Sequence, residues 1–202
     1  MGNLRIMTSL LIGKRLAGFV ARKRKYGQHI KKGNDVDNDT LKVPKKLRPV
    51  TLWVHPEGRV IGAIYLRIQS PHHAGEEQPL EALNACQSFL VFNRESPAEL
   101  RFYNIKSVIR IEYTSTEADE LSGEDSKTNP MRCHLQLMDG SYIDGTIRES
   151  LPPNHARLLD YLNRADETFI KVYMEDGLVY LINKSYINHV HVDDIGDALG
   201  ES

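Results

Sequence analysis

Two Lys-Ser pairs are the first residues of the chain that could support catalysis. Lys106-Ser107 and Lys184-Ser185 each place an amine beside a hydroxyl, the two groups of a Ser-Lys nucleophile. Adjacent residues on a turn point in different directions, however, and no oxyanion-hole motif accompanies either pair. The sequence also contains no Gly-rich phosphate loop, H-E-x-x-H, G-x-S-x-G or Rossmann fingerprint. We therefore expect turn-forming roles for both pairs, and no enzymatic activity.

Three histidines could approach a metal ion. His189 and His191 lie on one face of a predicted strand, because alternate residues of a strand point the same way. His134 could join them, but the spacing supplies no further ligand, and the loop pair His72-His73 is a weaker candidate. We expect neither a metal nor a cofactor.

The two cysteines, Cys86 and Cys133, form no close pair. This argues against a zinc knuckle or a disulfide framework. Two reduced thiols fit a cytoplasmic protein.

The N-terminal arm is basic and the rest of the chain is acidic. Residues 1–48 carry 13 Lys+Arg against 3 Asp, whereas residues 49–202 carry 13 Lys+Arg against 24 Asp+Glu. Such an arm is expected to contact an anionic surface or a partner, or to fold against the acidic body. The predicted contact residues are Lys14, Arg15, Arg22, Lys23, Arg24 and Lys25.

A helix with an apolar docking face is predicted within residues 1–34. Ile12, Leu16, Phe19 and Val20 share one side at helical spacing. Lys14 and Arg15 interrupt the apolar run, which stays shorter than the roughly 20 residues that a bilayer span needs. Four roles remain open: an amphipathic helix on an anionic membrane, a docking helix, a nucleic-acid arm, and a cleaved presequence.

The rest of the chain shows two copies of one short-strand pattern. Leu83-Asn84 corresponds to Leu162-Asn163, Phe89 to Phe169, and the first Lys-Ser pair to the second. Each copy predicts five short strands, a helical insert after the second strand, and a single 3₁₀ turn before the fifth. The predicted segments are the arm (1–34), a linker (35–48), module 1 (49–115), an acidic linker (116–130), module 2 (131–194) and a tail (195–202).

The pattern of Leu-Asn, Phe and Ile-Asn-Lys-Ser-x-Ile, whose last element stands in full at residues 182–187, resembles small uncharacterised bacterial β-barrel modules of SH3-like or Sm-like type. The resemblance covers each repeat and not the arm. It implies a mainly β fold with tandem five-stranded barrels, in which closure hides strand edges. It implies no activity and no site residues.

Together these features predict a non-enzymatic adaptor or regulatory protein whose tandem barrels bind a protein partner. The arm would hold it at an anionic membrane surface or in a larger assembly. We expect it in the cytoplasm, including the inner face of the membrane. The alternative is a nucleic-acid-binding regulator that uses the arm and the barrel surface, although the acidic modules argue against it. The sequence does not predict an oligomeric state.

Overall fold

The computed structural model describes residues 44–116, 130–149 and 158–191, and these residues are mainly β. The strands of the first half are β1 (Lys45–Val54), β2 (Gly58–Arg67), β3 (Phe89–Arg94), β4 (Glu99–Asn104) and β5 (Val108–Thr114). Those of the second half are β6 (Met131–Leu137), β7 (Tyr142–Ile147), β8 (Phe169–Tyr173), β9 (Leu178–Asn183) and β10 (Ile187–His191). The short helices of the described residues are α1 (Pro79–Asn84) and α2 (Leu158–Leu162), with 3₁₀ turns at Ile105–Ser107 and Lys184–Tyr186.

The ten strands of the described residues form one open antiparallel sheet with the order β10-β6-β7-β8-β9-β5-β1-β2-β3-β4. Each half therefore places its fifth strand beside its first, followed by the second, third and fourth. The halves join where β9 pairs with β5, with Leu181 opposite Ile111. The two halves thus repeat one strand order and meet edge to edge.

Several local predictions are confirmed. Both 3₁₀ turns lie directly before the fifth strand of their half. An Asp139-Gly140 turn connects β6 and β7, with Gly140 at φ +85°, a conformation that glycine adopts without strain. By contrast, β1 begins at Lys45, before residue 49 where the first module was expected to start.

Other predictions fall on residues outside the described ranges. These are the arm helix with its docking residues and basic block, most of the acidic linker, and the tail. The described part of the chain contains no helix long and apolar enough to cross a membrane.

Two apolar cores lie on opposite faces of the central strands. On β8, Phe169 belongs to the first core and its neighbour Ile170 to the second. On β9, Leu181 and Ile182 divide in the same way. On β5, Val108 lies in the first core while its neighbour Ile109 packs among residues of the second half. Because consecutive strand residues point to opposite faces, these strands serve both cores at once.

Candidate protein-interaction surface

The outer face of the β3–β4 hairpin is apolar and exposed. Strand pairing places Phe89 opposite Asn104, Val91 opposite Phe102, and Asn93 opposite Leu100, so all six side chains share one face. Phe89, Leu100 and Phe102 are 59%, 52% and 64% exposed. Side chains of this size and type, clustered on one surface, are typical of interaction sites. We call this set of six residues the β3–β4 outer face.

The inner face of the same hairpin fixes its orientation. Leu90, Phe92 and Tyr103 are buried in the first core, and the Phe92 and Tyr103 rings meet edge to face at a centroid distance of 5.7 Å. Strand β2 lies close behind, since a Cβ on Gly62 would approach the Phe92 ring to 2.6 Å. Burial of one face therefore holds the other outward.

Charged residues frame one end of this hairpin. Glu57 accepts hydrogen bonds from Arg94 at 2.9 Å and from Arg101 at 2.8 Å. Arg101 also pairs with Glu99, with 2.6 Å between Nε and the carboxylate. Arg101 lies opposite Phe92 and Arg94 opposite Glu99, so these ion pairs close the end of the inner face and leave the β3–β4 outer face apolar.

The corresponding face of the second half is buried. Its β8–β9 register repeats that of β3–β4, with Phe169 opposite Asn183, Lys171 opposite Leu181, and Tyr173 opposite Val179. Phe169, Val179 and Leu181 are 0% exposed and lie in the first core. The same face of one supersecondary unit is thus buried against a module in the second half and open in the first.

Two asparagines secure the covered face with polar contacts. Asn183 is fully buried and donates from Nδ2 to the Val108 carbonyl of β5 at 2.9 Å. Asn84, at the end of α1, accepts from the backbone N–H groups of Thr168 and Phe169 at 3.0 and 2.8 Å. The helix ends at Ala85, a cap residue in a right-handed conformation, which leaves the Asn84 amide for β8.

Arg110 adds a buried cation to the junction between the halves, where β5 pairs with β9. Its guanidinium lies 4.0 Å from the centroid of the Trp53 ring and donates to Glu112 at 2.8 Å. It also donates to Ser141 at 3.1 Å and approaches Asp139 at 3.4 Å, both on the β6–β7 turn of the second half. A planar guanidinium suits such combined stacking and hydrogen bonding.

The Lys-Ser pairs have structural partners. Asn104 and Asn183 begin the two 3₁₀ turns and accept from the backbone N–H groups of Lys106 and Ser185. The Ser185 hydroxyl donates to the Asn183 side chain at 2.7 Å, while the Lys184 ammonium donates to the Arg164 carbonyl. Burial lowers the pKa of Lys184. The amine and the hydroxyl of this pair are therefore directed to different partners, as their position on a turn predicted.

Two of the three candidate histidines come together. His134 and His191 are opposite each other on β6 and β10, with ring centroids 5.9 Å apart, and His134 Nδ1 lies 2.5 Å from an Asp144 oxygen. His189 pairs with Gln136 instead. The described residues contain no group of three or more His, Cys, Asp or Glu placed to hold a metal ion.

Both cysteines are free thiols. Burial, reinforced by the charge of Asp144, raises the pKa of Cys133 to about 12. Burial also raises the pKa of Cys86 above its usual range. Neither environment favours the reactive thiolate.

Comparison of the chain with protein-family models, with characterised proteins and with solved structures found no match.

The exposed surface was not predicted from the sequence, because Phe89 was interpreted only as part of the third strand and as the match of Phe169. A signal was available: Phe89 to Phe92 are all apolar, so both faces of β3 are apolar over most of its length. Strands of that composition are typically covered on both sides. In this structure only the inner side is covered within the described residues.

Proposed function

We propose that this protein is a non-enzymatic adaptor or regulatory protein that binds a protein partner through its β modules. The observation that carries the proposal is the β3–β4 outer face, whose three large apolar side chains are more than half exposed. The equivalent face in the second half is buried against a β module, which supports a protein as the ligand of the open copy.

Each half is further proposed to be a small SH3-like or Sm-like barrel that curves around its own core. The shared strand order and the two separate clusters of buried residues support this assignment. Tandem barrels would present their third and fourth strands as repeated binding surfaces, one used inside the chain and one available outside.

The N-terminal arm is proposed to localise the protein, either at the inner face of a membrane or in a larger assembly. Its support is the sequence: the apolar set Ile12, Leu16, Phe19 and Val20 is followed by the basic block at residues 22–25. Each basic residue near an anionic bilayer contributes about 1 kcal/mol of attraction. The protein would then be cytoplasmic and peripheral to the membrane.

Site-specific photo-crosslinking tests the interaction surface. A benzophenone amino acid is placed at Phe102, and in a matched variant at Tyr142, which is 72% exposed on β7. Illumination of cells that naturally produce the protein should yield a discrete protein adduct from position 102 and not from 142. Equal yields from the two positions would reject the β3–β4 outer face as a binding surface.

A second experiment separates the proposed arm function from its nucleic-acid alternative, which the excess of 13 Lys+Arg over 3 Asp in residues 1–48 favours. The full chain and a chain starting at Gly33 are compared by co-sedimentation with anionic liposomes and by gel shift with RNA and DNA. Liposome binding that is lost on truncation supports membrane localisation. A gel shift that weakens steeply with salt, without liposome binding, would replace it by the nucleic-acid function.

A further inference from the structure

The internal junction between the halves has an unused counterpart at the ends of the sheet. Within the described residues, β10 and β4 are the terminal strands and pair on one side only. At the junction, the fourth strand of the second half (β9) pairs with the fifth strand of the first (β5). Within the described residues, the strands with an unpaired edge are thus β4, the fourth strand of the first half, and β10, the fifth strand of the second half. A fourth and a fifth strand are also the two that pair at the junction.

The two fifth strands match in detail. β5 and β10 each contain an irregularity of pairing at their second residue, between Val108 and Arg110 and between Ile187 and His189. The residue before each strand accepts the same backbone hydrogen bond, from His55 to Ser107 at 2.9 Å and from Met138 to Tyr186 at 2.8 Å. The β10 edge therefore offers the backbone shape that β5 offers to β9.

The two fourth strands match in register and in side-chain type. Leu100 and Phe102 occupy the places of Val179 and Leu181, and Asn104 occupies the place of Asn183. The counterparts in the second half are fully buried at the junction, whereas these three are exposed. The first half thus carries the apolar and amide groups of a junction that its own chain does not complete in the described residues.

We propose that β4 of one copy pairs with β10 of a second copy, so that the chains assemble head to tail. This inference rests on the proposed function, since it names the partner of the same surface. Transfer of the β5–β9 register places Val190 of one chain opposite Phe102 of the next, and His191 opposite Arg101. Asn104 then donates to the Ile187 carbonyl of the second copy, as Asn183 does to Val108.

The two contacting surfaces differ, so the interface is heterologous. Repeated use either closes a ring or extends a filament. It also covers the two edges that are unpaired within the described residues and that an open sheet otherwise exposes to uncontrolled pairing.

Cysteine pairs across the new junction test the proposal directly. In a Cys86→Ser background, Arg101→Cys and His191→Cys chains are mixed and oxidised. The register places the two thiols opposite each other, so a disulfide-linked dimer should form in the mixture and not from either chain alone. Adding Phe102→Lys to the Arg101→Cys chain should abolish the product, whereas adding Tyr142→Lys should leave it unchanged.

Light scattering supplies the second measurement. The full chain should have a mass of at least twice 23.0 kDa, and Phe102→Lys should reduce it to that of one chain. Leu100→Lys, on the same face, should do the same, and circular dichroism checks that both variants stay folded. Disulfide dimers of Arg101→Cys alone would indicate β4–β4 pairing and overturn the head-to-tail arrangement.

A single-chain mass at every concentration would also overturn this inference. So would a photo-adduct in which the benzophenone at position 102 has reacted with the N-terminal residues of its own chain. The proposed function fails separately. If position 102 crosslinks to a different protein while the chain stays monomeric, the adaptor proposal is supported and the self-assembly proposal is rejected.

Discussion

Asn183 and Asn104 offer a matched pair of substitutions that isolates the contribution of the internal junction. Both begin a 3₁₀ turn and accept the backbone N–H of the second residue after them at 3.0 Å. Asn183 alone, within the described residues, also donates across to the Val108 carbonyl and is 0% exposed. The Ser185 hydroxyl also donates to the Asn183 side chain, so the pair is compared in a Ser185→Ala background. In that background each alanine substitution removes the same backbone cap, and only Asn183→Ala removes a junction contact.

The magnitudes follow from these contacts. Loss of the cap costs about 1 kcal/mol in both variants. Asn183→Ala additionally leaves the Val108 carbonyl without its donor, which costs about 1–3 kcal/mol for a buried group. We expect the free energy of unfolding to fall by roughly 3 kcal/mol for Asn183→Ala and by about 1 kcal/mol for Asn104→Ala.

Urea unfolding, followed by circular dichroism at a dilution where the chain is monomeric, measures both values. The urea dependence of the unfolding free energy should stay constant, so that the shift in midpoint reports stability. Equal losses for the two variants would refute the reasoning, because the junction bond would then contribute nothing beyond the turn.

Three further predictions concern packing, thiol reactivity and pH. Gly62→Ala should lower the free energy of unfolding in urea by about 3 kcal/mol, because its Cβ would approach the Asn93 carbonyl to 2.2 Å. In the control Gly58→Ala the new Cβ meets no atom within 4 Å, so the cost should be only about 1 kcal/mol, for its φ of +85°. Equal costs for the two variants would contradict this packing argument. A thiol-specific reagent at pH 8 should label half-buried Cys86 slowly and leave buried Cys133 unmodified until urea is added, and rapid labelling of both in the native protein would contradict the assigned burial. Burial alone would raise the pKa of Asp139, but hydrogen bonds from Ser141 and the charge of Arg110 outweigh it and hold the pKa below its usual range. This carboxylate therefore stabilises the fold at neutral pH, and the contribution is lost as the pH falls through the lowered pKa. Asp139→Asn should therefore lower the thermal midpoint at pH 7 and weaken its decline in acid, and an unchanged acid profile would argue against the pair.

Strand patterning made the repeat predictable from the sequence. Short apolar runs separated by Gly and Asp turns indicated five strands in each copy, and both 3₁₀ turns lie where the Lys-Ser pairs suggested. The exact correspondence of the copies was less accessible. In the structure Asn104 corresponds to Asn183, because each is the cap residue at which the 3₁₀ turn begins. This correspondence is shifted by one residue from the one in which the two Lys-Ser pairs match, since the cap and not the lysine defines the turn.

The junction could not be predicted from either copy alone. Pairing of β9 with β5 depends on edges that meet only after both halves have formed their strands. Asn84 illustrates the difficulty: its type favours a helix end, and nothing local indicates that its amide would bind β8, far along the chain. Similarly, Phe89 and Phe169 are identical residues in matching places, yet one is exposed and the other buried.

The division of β8 and β9 between two cores has a consequence for synthesis of the protein. The first core contains Phe169, Val179 and Leu181, which leave the ribosome after the whole first half. Chains grow N-terminal first at about 5–20 residues per second, so the nascent first half waits several seconds with that face uncovered. During this interval its apolar surface is available to a chaperone or to a neighbouring nascent chain on the same message, and a stop codon before residue 169 would leave the first half without these core residues.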